Sequence, residues 1–334
     1  MAFNNRKYST FEIICQLLNM SIENLPGKTI TIQLMPNQEG KNVAALYTHP
    51  CLSPTNSAVL YIHGFNDYFF QEHVADWFTN QGIQFFALDL RRYGRSLLPH
   101  QKPGGTHDIA EYFEEITLAL NYICTKEGIK KIALMGHSTG GLITSLYCNQ
   151  FTDQFPVNAL ILNSPFFEFN LNSLKKMLLP AIACIGKFFP CISSSSSLTR
   201  GYGESIHKQF HGEWDFDLTI KPIEGHRVDL GWIQTIHSAQ KMLQKGLNID
   251  FPILVMYGEK SVKPGAYRQD MQTADSVLNV ADIERFADRL GKQVVKKAIP
   301  EGMHDLMLSN KKARQEVFKT IKDFLQTQTE LFKN

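Results

Sequence analysis

The sequence predicts an α/β protein: a mostly parallel β-sheet flanked by helices and interrupted once by an insertion. Three observations predict it. Strand-like apolar runs alternate with helical stretches along most of the chain. Some runs, residues 83–90 above all, are apolar almost without break, as strands covered on both faces must be. One run, 131–135, leads directly into Gly136-His137-Ser138-Thr139-Gly140 and then into the helix-compatible stretch 142–147.

The elements follow in order. Residues 29–35 and 43–47 read as opening strands forming an antiparallel edge, and 58–62 as a buried strand. Residues 71–81 read as a helix and 83–90 as the next buried strand. Within 108–127, Ile109, Tyr112, Phe113, Ile116, Leu120 and Ile123 recur at helical spacing, an apolar stripe that faces a sheet. Strands are expected at 131–135, 157–162, 251–258 and 294–299, and helices at 230–245, 281–290 and 311–332. In 89–96, Gly94 permits a tight structural bend after a strand.

Residues 165–227 break the alternation. This divides the chain into a core, 1–164 and 228–334, and an inserted cap, 165–227, placed where ligands bind in open α/β sheets. Its apolar stretch around 178–189 has three readings: an acyl-pocket lining, a membrane-docking patch, or packing of cap on core. Pro180 and Gly186 break the stretch, and it is too short to span a bilayer. The serine run Ser193 to Ser197 reads as a flexible linker, and Trp214 and Phe216 as packing residues.

A serine between two glycines, at the turn from strand to helix, reads as a nucleophile elbow. The turn lifts the Ser138 hydroxyl above the sheet and sets it at a helix N-terminus, where developing negative charge is favoured. Chain order supplies its partners. His63-Gly64-Phe65 follows an early strand, so the Phe65 N–H pairs with the Thr139 N–H as oxyanion donors, and His63 holds the loop. Of 11 histidines, His304 stands on the loop after the last strand and before a C-terminal helix, the place of the general base. For the acid, Ser261 occupies the position first in line after the penultimate strand. Asp275, leading into Ser276-Val277-Leu278, is favoured, with Asp282 and Asp270 as alternatives.

These segments, with Leu88-Asp89-Leu90-Arg91-Arg92-Tyr93-Gly94-Arg95-Ser96 and Gly302-Met303-His304-Asp305, make the chain resemble the α/β-hydrolase superfamily. Within it the chain is similar to the monoacylglycerol lipase, lysophospholipase and serine aminopeptidase group, from about residue 43 onward. The stretch 259–273 before the acid departs from that pattern. The resemblance implies hydrolysis of a small-molecule ester with an apolar acyl group, with Ser138, Asp275 and His304 as the triad and no cofactor or metal. It also implies a cap that supplies the acyl pocket and touches membranes peripherally. A rival reading is an aminopeptidase, with Glu204, Glu213, Asp215 and Asp217 holding the substrate amine. A second is a binding protein without catalysis.

Composition bounds the rest. A chain of 334 residues, 43% hydrophobic, is large enough for a full core. A formal net charge of +2 gives no reason to invoke nucleic acid. The six cysteines form no C-x-x-C pair and no zinc-like cluster, which reads as reduced thiols in a cytoplasmic protein; a Cys184–Cys191 bridge is the minor alternative. Residues 1–10 are polar, and the short apolar stretch after them is interrupted by Glu12 and Gln16, unlike a signal sequence.

Overall fold

A computed structural model of the chain describes residues 21–22, 27–37, 39–151, 154–194 and 200–329. One large sheet carries the fold. Its strands are β1 (Ser21–Ile22), β2 (Lys28–Asn37), β3 (Gly40–His49), β4 (Ser57–Ile62), β5 (Gln84–Asp89), β6 (Lys131–His137) and β7 (Val157–Asn163). A two-residue ribbon is made by β8 (Ser193–Ser194) and β9 (Val228–Asp229), and β10 (Ile253–Gly258) and β11 (Val294–Ile299) complete the large sheet. The order across the large sheet is β1-β2-β3-β5-β4-β6-β7-β10-β11. From β5 to β11 every pairing is parallel, whereas β1, β2 and β3 form the antiparallel edge that the sequence predicts.

The burial of each strand follows from its place. β4 is buried at every residue and β5 at all but its first, as their unbroken apolar runs require. At the edge, β11 is buried only at Ile299 and exposes Val295 and Lys296, the lysine charge blunting a free edge. The helices pack on both faces: α1 (Glu72–Asn80), α2 (Glu111–Thr125), α3 (Thr139–Phe151), α6 (Leu230–Lys245), α7 (Val280–Ala287) and α8 (Lys311–Gln328), with α4 (Ser173–Phe188) and α5 (Arg200–Ile206) in the insertion. The predicted stripe on α2 is buried as expected. α8 ends at Gln328; the rest of the predicted helix, from 330 on, lies outside the described residues.

The chain enters the parallel part at β4, moves to β5 on one side and then to β6 on the other. The connections from β4 and β6 therefore diverge and open a crevice at their carboxyl ends. Both the His63-Gly64-Phe65 loop and the turn at Ser138 start there.

The insertion differs from expectation in one respect. Neither Pro180 nor Gly186 breaks the stretch: α4 runs through both. Pro180 removes one backbone donor from the helix interior. Gly186 is required by close packing, since a Cβ there would meet the Leu230 carbonyl oxygen at 2.2 Å. α4 packs against α6 through Leu179, Ala183 and Gly186 and leaves Leu174, Met177, Ile185 and Phe188 exposed. The serine run begins as β8, paired with β9, and its remainder, from Ser195, lies outside the described residues.

Candidate active site

Ser138 is the turn between β6 and α3, with φ at +51°, in the left-handed region that costs a non-glycine residue energy. Two glycines make room for it. A Cβ on Gly136 would lie 2.5 Å from Thr144 Oγ1, and one on Gly140 would lie 2.4 Å from the carbonyl oxygens of both Ile62 and His63. The Ser138 N–H donates to the Asn163 carbonyl at 3.0 Å, anchoring the turn to β7.

His304 Nε2 lies 3.0 Å from Ser138 Oγ, and His304 Nδ1 lies 3.0 Å from Asp275 Oδ2. An ionised Asp275 can only accept, so Nδ1 carries the proton and Nε2 is free to accept from the serine hydroxyl. Asp275 is fully buried, and its Oδ1 accepts the N–H groups of Val277 and Leu278, each at 2.8 Å. The two alternative acids go elsewhere. Asp282 pairs with Lys176 and Arg285, and Asp270 is exposed beside Arg268. Ser261, first in line by sequence, bridges to Asp275, and its Oγ accepts the Val280 N–H at 2.8 Å.

The loop after β4 closes on the elbow. A Cβ on Gly64 would stand 3.1 Å from Ser138 Cβ, closer than ordinary contact, so a side chain here would press on the serine. Among the described residues, neither the Phe65 nor the Thr139 N–H has a backbone acceptor, which leaves two free donors beside the serine. His63 is buried; it accepts the Leu90 N–H at Nε2 and so donates from Nδ1 to the Gly64 carbonyl, at 3.0 and 2.7 Å. Burial lowers its pKa and keeps it neutral in this loop-holding position. Asp89 accepts from the Phe69 N–H and from Arg95, which ties the 89–96 bend to the same loop.

Behind the serine lies a buried polar layer that sequence reasoning did not assemble. Lys221 of the insertion is paired with Asp67. His137 Nδ1 stands 3.4 Å from Asp67 Oδ2, at ion-pair distance but without a hydrogen bond. Burial alone would raise the Asp67 carboxyl; the Lys221 ammonium and the His137 ring outweigh it and hold the group well below the carboxylate range. Burial alone would lower His137, but Asp305 and Asp67 raise it. Asp305 accepts from Asn163 at 2.7 Å and Gln71 at 3.0 Å, and its own N–H donates to the Tyr202 hydroxyl at 3.2 Å. Ligand atoms of Asp67, His137 and Asp305 lie within 4.8 Å of one another. Lys221 already stands on one Asp67 oxygen, and Asn163 and Gln71 donate to the two oxygens of Asp305, so a cation here would have to compete with a resident ammonium. Asp67 lies two residues beyond the His63-Gly64-Phe65 run, whereas nothing local marks Lys221.

Ser138 and His304 open into a cavity of about 690 Å³. Its walls are mainly apolar: Phe65 and Trp232 from the core, and Phe166, Leu179, Ile182 and Phe216 from the insertion. Phe216 is therefore part of the cavity wall, while Trp214 packs away from it, its indole N–H donating to the Leu308 carbonyl at 2.8 Å. The four acids of the peptidase reading do not line the cavity: Glu204 pairs with Arg200, Glu213 with Arg314 and Asp215 with Lys208, and Asp217 accepts from Thr219.

The fold and this arrangement define an α/β-hydrolase. The family model "Serine aminopeptidase, S33" matches residues 53–311, and the chain belongs to that family. No curated protein sequence matches it significantly. Among solved structures it is similar to a soluble variant of the monoglyceride lipase of Saccharomyces cerevisiae in complex with a substrate analog. That match has a TM-score of 0.68 at 20% identity and covers 92% of this chain and 95% of that one. The monoacylglycerol lipase of Paleococcus ferrophilus matches with a TM-score of 0.61 at 18% identity, over 85% and 99% of the two chains. A thermophilic esterase from Thermogutta terrifontis matches with a TM-score of 0.54 at 17% identity, over 90% and 99%.

Proposed function

We propose that this protein hydrolyses carboxylic esters with an apolar acyl group, of the monoacylglycerol, lysophospholipid or short-ester kind, through an acyl-enzyme intermediate. The supporting observation is the unbroken relay Ser138–His304–Asp275, with 3.0 Å at each step, at the floor of a mainly apolar cavity.

In this reading His304 takes the proton of Ser138 as its oxygen attacks the ester carbonyl. Asp275 holds the imidazole in the required tautomer and stabilises the imidazolium. The N–H groups of Phe65 and Thr139 receive the negative charge, each contributing about 3 kcal/mol in sites of this kind. His304 then protonates the leaving alcohol, and water, activated by the same histidine, releases the acid. No step calls on a cofactor.

Residues 165–227 act as the cap, supplying Leu179, Ile182 and Phe216 to the acyl side of the cavity. The exposed apolar face of α4 favours peripheral contact with a lipid surface. Among the described residues no helix is long and apolar enough to cross a membrane. Among the described residues Cys51, Cys124, Cys184 and Cys191 are free thiols, which favours a reducing, cytoplasmic compartment; Cys15 lies outside the described residues.

Turnover of an ester series of graded chain length, set against aminoacyl-nitroanilides, tests the assignment. Ester hydrolysis that rises with acyl length up to the cavity's capacity is expected. Cleavage of the anilides alone would replace it with the peptidase reading.

A further inference from the structure

The insertion does more than cover the cavity. It meets the oxyanion loop at consecutive residues: Asn66 donates from its side chain to the Pro222 carbonyl at 3.0 Å, and Asp67 is paired with Lys221. Tyr68 accepts the Asp217 N–H at 2.9 Å. Phe65, the oxyanion donor of the proposed mechanism, immediately precedes them. Asn66 has φ at +53°, in the left-handed region that asparagine tolerates better than most residues.

Of these ties the Asp67–Lys221 pair is the one with a heavy penalty for loss. Both side chains are buried, 2% and 7% exposed. The Asp67 oxygen left over has no hydrogen bond, so Lys221 is the principal counter-charge of this carboxylate. A buried carboxylate stripped of its partner must move or take a proton. His137, which adjoins Ser138, stands 3.4 Å from the other oxygen of this carboxylate.

We propose that Lys221 is a positioning residue: its ion pair with Asp67 holds the Phe65 N–H and the elbow in register, so the oxyanion hole is complete only while the insertion is seated on the core. Lys221 here touches no reacting atom. The lysine comes from a segment far away in sequence, and seating of the insertion becomes a condition for transition-state stabilisation as well as for substrate enclosure.

The inference rests on the proposed roles of Ser138 and Phe65, and the experiment separates the two. Lys221→Met, the double variant Asp67→Asn/Lys221→Met and Ser138→Ala are compared, with a fluorophosphonate probe and a short p-nitrophenyl ester, per titrated active site. A lost oxyanion contact acts in the transition state, so kcat and labelling rate should fall about tenfold or more, with KM little changed. The double variant removes both buried charges together and keeps the test open where the single variant does not fold. Wild-type labelling by the folded double variant would overturn the proposal, as would a rise in KM alone, which would make Lys221 a substrate contact. Labelling of Ser138→Ala at the wild-type rate would instead overturn the nucleophile assignment.

Discussion

Ser261 and Asp275 face each other across a single β-bridge, although the stretch 259–273 separates β10 from the acid in sequence. The Asp275 N–H donates to the Lys260 carbonyl at 3.0 Å and the Val262 N–H to the Asp275 carbonyl at 2.8 Å. The intervening chain leaves the sheet, packs on the insertion through Gly201 and Gln272, and returns to where it left. Asp275 thus stands beyond the end of β10 in space, within hydrogen-bond distance of His304.

This placement makes the acid testable. Asp275→Asn should lower kcat by about ten-thousandfold, because an amide cannot hold the imidazole in the reactive tautomer. Asp282→Asn should leave turnover near wild type, since that carboxylate serves Lys176 and Arg285. Steady-state kinetics of the two variants decide; the reverse pattern would move the acid to Asp282.

Ser138→Ala should abolish ester turnover, a loss of about a millionfold, and remove fluorophosphonate labelling. Its far-UV circular dichroism should match the wild type, because alanine keeps the backbone. Substantial residual turnover would contradict the nucleophile assignment.

Gly140→Ala tests the elbow's packing. The new Cβ would press on two backbone oxygens at 2.4 Å, atoms that cannot swing aside as a side chain would. A loss of about 1–3 kcal/mol is expected from denaturant unfolding. An unchanged midpoint would show that α3 can shift to accommodate the methyl group.

His63 gives the stability a pH dependence. Burial lowers its pKa below the ordinary 6.5, so the unfolded chain binds a proton that the folded chain refuses. Stability therefore rises with pH in this window, and the loss sets in as pH falls below 6.5 toward the folded value. His137, raised, acts in the opposite sense: its contribution is present below 6.5 and is lost as pH rises through its folded value. His63→Gln should flatten the fall in Tm between pH 6.5 and 5, measured by calorimetry. A slope equal to that of the wild type would refute this.

The exposed face of α4 is open to a direct test with lipid vesicles. Met177 and Phe188 are 69% and 70% exposed and do not line the cavity. Met177→Glu/Phe188→Glu should weaken vesicle co-sedimentation by roughly tenfold or more while hydrolysis of a short soluble ester persists. Unaltered sedimentation would leave the patch without this role.

Most of the sheet, the tight turn at Ser138 and the loop position of His304 after the last strand were legible from the residues alone. Unbroken apolar runs report strands buried on both faces, the stripe on α2 reports a helix against the sheet, and the glycines around Ser138 report a turn too tight for side chains. Each of these signals is local, set by which neighbours a residue must pack against or avoid. Local patterning also misled at Pro180 and Gly186: tertiary packing of α4 on α6 outweighs one missing donor and makes use of the missing Cβ. What only the folded chain decided was which groups meet. The bridge between Ser261 and Asp275 brought this aspartate, of the three candidates, to His304, and the pairing of Lys221 with Asp67 joined the insertion to the loop after β4. Such meetings depend on the path of the chain between distant residues, and a residue's own sequence neighbours carry no record of that path.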